Sequence, residues 1–182
     1  MAVQAFAKWL EPLHQSNTPG QHAVYCPEGL SRFYWGGFSG KPVASWMTSE
    51  ARLHEIEDFC TWLDQVYAFA KTRHPGARVV ALGFSQGAAT VMRWAQARQP
   101  TLYAVVLWSG TPPEDIDYAP AEYWDALSLL SRWGDADELV PYARARERFE
   151  EVGLDFEHAG FVGGHRVTAD GLLALAARLA VG

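Results

Sequence analysis

Apolar positions along this chain change spacing in blocks, from helical to strand-like and back. Val3, Phe6, Ala7 and Leu10 recur at helical spacing, which predicts an amphipathic helix over residues 1–15. "SNTPGQ" is a turn by composition, and the β-rich "HAVYCPE" at 22–28 reads as a short strand stopped by Pro27. Residues 29–47 mix glycines with aromatics and carry no period, so they read as an irregular apolar loop. Leu53, Ile56, Cys60, Leu63, Tyr67 and Ala70 then step by three and four. They predict one long helix, with Thr48 or Ser49 able to cap its start and His74-Pro75-Gly76 ending it.

From residue 77 the alternation is regular. "ARVVALGFS" is an unbroken apolar strand, the pattern expected where helices cover both sheet faces. A helix from Gln86 runs to about Gln99 and stops at Pro100. "YAVVLWSG" is a strand, and "TPPEDIDYAPAEYWDA" is a Pro- and Asp-rich excursion, readable as a small cap or as plain surface. "LSLLSRWG" is a strand, and a helix begins at Pro141 and ends before Gly153. "LDFEHAGFV" is the last strand and "TADGLLALAARLA" the last helix. Strands alternating with long helices predict an α/β fold. Its mostly parallel sheet carries helices on both faces, in one domain spanning residues 1–182.

Composition narrows the function. With 182 residues, 49% of them hydrophobic, the chain can bury a sizeable core. A net charge of −6 without a basic cluster argues against nucleic acid as a partner. No apolar stretch approaches the length of a membrane span, and Lys8, Glu11 and His14 interrupt any signal-peptide core. A cytoplasmic protein is expected, with Cys26 and Cys60 as reduced thiols. No metal-ligand spacing appears, and no cofactor is expected.

The chemistry centres on Gly83-Phe84-Ser85-Gln86-Gly87, which reads G-x-S-x-G between a predicted strand and a predicted helix. Such a turn strains the serine backbone and needs small neighbours. It lifts the hydroxyl above the carboxyl edge of the sheet, where ligands of this fold class bind. A serine hydroxyl is a weak nucleophile at neutral pH and needs a base held by a carboxylate. The acid is sought in "GDADELVP" after a later strand, where Asp137 can point inward to an imidazole while Asp135 braces the loop. The histidine is His165, after the last strand behind Gly163-Gly164. His14, His22, His54, His74 and His158 lack such placement and read as surface or structural.

"GFSQGAAT", "GDADELVP" and "GGH" resemble the α/β-hydrolase superfamily, specifically the carboxylesterase/phospholipase group that includes acyl-protein thioesterases. Residues 27–50 further resemble a bacterial serine-hydrolase subgroup of that kind. The resemblance implies that Ser85 attacks an ester or thioester carbonyl, that His165 acts as base and then acid, and that Asp137 orients it. It also implies that the Gln86 backbone N–H is one oxyanion donor. Trp108, Trp46, Met47 and Phe84, with the loop aromatics Phe33, Tyr34 and Trp35, are candidates to wall an acyl pocket, the alternative being core positions.

One family element is not found. Members open with a strand ending in an H-G loop that carries the second oxyanion N–H, and nothing before His22 reads that way. Two explanations stand: a true start upstream of Met1, or a short variant that closes its sheet differently, with a homodimer able to fill the gap. The expected activity is a serine carboxylesterase or thioesterase acting on small-molecule acyl esters, weakened by the missing donor. The alternatives are a catalytically weak or inactive hydrolase-fold binding protein, and a lysophospholipase with an apolar cleft rim.

Overall fold

The structure, a computed structural model, describes Lys8, residues 10–13 and residues 22–180. Lys8 and residues 10–13 are helical and Leu10 is buried; the rest of the predicted first helix lies outside the described residues. The chain divides into two compact units, Met1–Phe59 with Val167–Gly182, and Cys60–Arg166.

In the first unit, residues 22–28 form no strand. Their β-forming composition does not make a strand without a ladder partner, and Pro27 has no N–H to give one. The pairing occurs instead in the stretch expected to be irregular. Strands β1 (Ser31–Tyr34) and β2 (Pro42–Ser45) run antiparallel in register Ser31↔Ser45 to Tyr34↔Pro42. A Cβ at Gly29 would stand 2.3 Å from the Ser45 carbonyl oxygen, so this crossing requires glycine. The hairpin aromatics are not core: Trp35 is 79% exposed, and Phe33 and Tyr34 are also exposed. Helix α1 (Arg52–Arg73) starts later than its cap signals suggest, and its residues from Cys60 onward belong to the second unit. Glu55 in its first turn accepts the Thr48 N–H (2.6 Å) and hydroxyl (2.9 Å), and the Ser31 hydroxyl (3.0 Å). These bonds, the Thr48 N–H first, hold the Glu55 carboxyl below its ordinary range.

The second unit is built on one parallel sheet. Strands β3 (Val80–Phe84), β4 (Ala104–Trp108), β5 (Ser128–Gly134) and β6 (Phe156–Phe161) lie side by side in that order, all parallel. Every residue of β4 is buried, as an inner strand with both faces covered should be. β3 departs from that expectation, since it ends the sheet and Val80 is exposed while Ala81, Leu82 and Phe84 are half-buried. Helix α2 (Gln86–Arg98) packs on β3 and β4. Asp64 of α1 holds it by accepting the Trp94 indole N–H at 2.8 Å and Arg98 at 2.9 Å.

The excursion after β4 contains the short helix α3 (Ala121–Asp125) and is fastened down. Asp115 takes the Arg93 guanidinium at 2.7 Å, Asp117 takes Gln96 at 2.9 Å, and Arg148 reaches the Pro112 carbonyl at 3.1 Å. Arg93 stands about 10 Å along α2 from its first residue, so the strap grips the far half of the helix instead of roofing its beginning. Helix α4 (Tyr142–Val152) places Phe149 against Phe156 and Trp133, with ring centroids 4.8 and 5.5 Å apart. Pro141 caps this helix and is not its first helical residue. Helix α5 (Ala169–Ala180), in the first unit, buries Leu172 and Leu175. Among the described residues no helix is long and apolar enough to cross a membrane, and Cys26 and Cys60 form no disulfide.

Candidate active site

The site lies at the carboxyl ends of β3, β4 and β5, with the loop after β6 folded toward them. Ser85 joins β3 to α2 with φ 55 and ψ −120, a left-handed conformation that costs a non-glycine residue free energy. It is held by its own N–H donating to the Trp108 carbonyl at 2.9 Å and by its carbonyl accepting the Ala88 N–H at 3.0 Å. No side chain caps the helix start. Glycines make the close approach possible instead. A Cβ at Gly83 would fall 2.2 Å from the Gly87 carbonyl oxygen, and one at Gly110 would fall 2.5 Å from the Ser85 carbonyl oxygen. Gln86 opens α2, and an N–H at a first helical position points out of the helix end rather than into its ladder.

The acid and the imidazole are brought together. His165 Nδ1 lies 2.9 Å from Asp137 Oδ2 and 3.1 Å from Oδ1. Asp137 Oδ1 also accepts the N–H groups of Leu139 (3.1 Å) and Val140 (2.9 Å). Burial pushes the Asp137 carboxyl up, but the Val140 N–H, His165 and the Ser109 hydroxyl together hold it below its ordinary 3.8.

Asp135 does the other task. Its Oδ1 accepts the Gly163 N–H at 2.8 Å, while the Asp135 N–H donates to the Phe161 carbonyl (3.1 Å) and the Ala136 N–H to the Gly163 carbonyl (3.0 Å). The loop bearing Asp137 is thus laced to the loop bearing His165. A Cβ at Gly134 would meet the Gly163 carbonyl oxygen at 2.3 Å, so the lacing needs glycine there.

Phe84, immediately before Ser85, sets its ring 4.8 Å from that of His165, which brings the imidazole beside the Ser85 turn. Phe84 and Trp108 are register partners and share a sheet face. Trp108 is fully buried, stacks 5.3 Å from Phe161, and donates its indole N–H to the Arg166 carbonyl at 3.0 Å. It supports the histidine loop from beneath. Trp46 and Met47 belong to the first unit, where Trp46 meets Phe59 edge-on at 6.2 Å and the Met47 carbonyl accepts the Ser45 hydroxyl at 2.9 Å. Outside the site, the exposed His158 pairs its Nδ1 with the buried Ser131 hydroxyl. Ser109 was not singled out by sequence reasoning. A serine after a strand end carries no signal until its burial and positive φ are known.

Solved structures of the same fold include acyl-protein thioesterase 2 from Zea mays, 20% identical with a TM-score of 0.69 over 96% of this chain and 87% of that one. SOBER1 from Arabidopsis thaliana is 16% identical with a TM-score of 0.69 over 100% and 93% of the two chains. A carboxylesterase from Mesorhizobium loti is 16% identical with a TM-score of 0.68 over 99% and 83%. At these identities the likeness establishes the α/β-hydrolase-like fold. No curated protein matches the sequence. The family model described as "Serine hydrolase (FSH1)" matches residues 13–170, and with the fold and this serine turn in view the chain belongs to the FSH1 serine hydrolase family.

Proposed function

We propose that the chain hydrolyses carboxylic esters or thioesters through an acyl-enzyme on Ser85. The observation that carries this reading is the Asp137–His165 pair, bonded at 2.9 Å and set beside a serine in a strained strand-to-helix turn. His165 Nε2 takes the Ser85 proton as Oγ adds to the acyl carbon, and Asp137 stabilises the resulting imidazolium. The oxyanion is met by the Gln86 N–H at the helix start. Collapse expels the alcohol or thiol, which receives the proton from His165. Water then repeats the sequence in the second half, releasing the carboxylic acid and restoring Ser85. Phe84, with its ring against the imidazole, is the first candidate to touch the acyl chain. Trp46 and Met47 are candidates on sequence grounds, and Trp108 acts through the loop that it supports.

A fluorophosphonate probe tests the reading directly. The folded chain is expected to label at Ser85 and to lose labelling in Ser85→Ala. A folded wild-type chain that takes no label overturns turnover and leaves the binding-protein alternative.

A further inference from the structure

Ser109 stands one residue beyond β4, between the ends of β3 and β5 that carry Ser85 and the Asp137 loop. Three observations set it apart. It is fully buried, and its hydroxyl has no hydrogen-bond partner of normal geometry. Its φ is 47, a left-handed conformation fixed by its N–H donating to the Arg132 carbonyl at 2.9 Å. Its neighbour Gly110 lies against the underside of the Ser85 turn. A buried hydroxyl without a well-formed hydrogen bond, in a strained backbone, is costly, and such exceptions concentrate at functional sites.

The carboxylate it serves is identifiable. Asp137 Oδ1 is occupied by the Leu139 and Val140 N–H groups and shares His165, whereas Oδ2 accepts from His165 alone. Oδ2 therefore keeps a lone pair open. The Ser109 N–H is bonded to the Arg132 carbonyl, on the strand that leads into the Asp137 loop, and the Ser109 hydroxyl is among the groups that draw the Asp137 carboxyl down.

We propose that Ser109 is a positioning residue for the acid of the triad. Its hydroxyl turns to donate to Asp137 Oδ2, so that the carboxylate is held from both oxygens and keeps one orientation toward His165. The role rests on the reading of Ser85, Asp137 and His165 as a catalytic unit. It touches neither substrate nor the reacting atoms.

The test uses Ser109→Ala and Ser109→Gly in the full chain, after the wild type has been shown to label with the probe. Both variants remove the hydroxyl, but only glycine relieves the left-handed backbone. Both are expected to label, with kcat on a soluble ester roughly three- to tenfold lower and KM unchanged. The acid limb of the kcat/KM profile should move to higher pH in both. With one donor fewer, the carboxylate attracts a charged imidazole more strongly, and the base is lost earlier on acidification. Asp135 and Arg166 share this corner and are left in place. Unchanged kcat, a loss without movement of the limb, or recovery in the glycine variant alone overturns the role while leaving the triad standing. A wild-type chain that takes no probe overturns the triad itself, and this role with it.

Discussion

The two halves of the site are held by different physics. The Ser85 turn is fixed by exclusion, because Gly83 and Gly110 admit backbone where any Cβ would collide, and the Ser85 side chain makes no capping hydrogen bond. The acid and histidine loops are fixed by attraction, through Asp135 to Gly163, Asp137 to Leu139 and Val140, and Asp137 to His165. A turn held by exclusion fails abruptly when volume is added. A pair of loops held by hydrogen bonds weakens by degrees as donors are removed or protons added. Size variants should therefore be ruinous on one side and titratable variants graded on the other.

The largest effect is expected from Gly83→Ala, whose Cβ meets rigid backbone at 2.2 Å from the Gly87 oxygen and 2.6 Å from the Ala88 Cα. It should cost about 3 kcal/mol or more in unfolding free energy and abolish probe labelling, both readable by denaturant titration and gel fluorescence. Asp137→Asn comes next. It keeps an oxygen for the Leu139 and Val140 N–H groups but spoils the partner of His165, so kcat should fall about 10⁴-fold with the fold intact by circular dichroism.

Acid is the third probe of the comparison. The Asp137 carboxyl is depressed in the folded state, so the native chain binds fewer protons than the unfolded one. Its stabilising contribution is complete above 3.8 and is lost as pH falls through the depressed native value. Thermal melts of wild type against Asp137→Asn should converge on acidification through that window; parallel curves would contradict the sign. Asp135→Ala is milder, removing one acceptor from the Gly163 N–H, and should cost about 1 kcal/mol in stability with a modest fall in kcat.

The smallest effect lies away from the site at His158. Burial holds its imidazole below 6.5 against the opposing charge of Asp155. The native state resists protonation, so a contribution present above 6.5 is lost as pH falls through the lowered native value. His158→Gln should flatten that part of a stability profile.

Much of this was legible in the residues. β4 and most of β5 are buried runs bounded by Pro, Gly and charged turns, and α2 and α4 end at Gln99 and Gly153, both left-handed caps. The strand-turn-helix setting of Ser85 and the contact between Asp137 and His165 were readable because such a motif fixes where an acid and a histidine are sought along the chain. The division between Asp135 and Asp137 was readable from turn position alone, and the structure assigns the brace and the imidazole contact as expected. What was not legible depended on partners distant in sequence. Residues 22–28 have the composition of a strand and no ladder, whereas 31–45 form a hairpin through a pairing that aromatics and glycines do not announce. Ser109 is an ordinary serine until tertiary packing removes its water.

The positive φ of Ser85 also restricts which chemistries this fold can adopt. A β-branched side chain is severely disfavoured there, so in the proposed reaction threonine could not take the place of Ser85 even though it too carries a hydroxyl. Cysteine carries no second heavy atom on Cβ and fits the same backbone. Descent from this scaffold can therefore drift from oxygen to sulfur, and the route to a threonine enzyme is closed by the shape of a single turn.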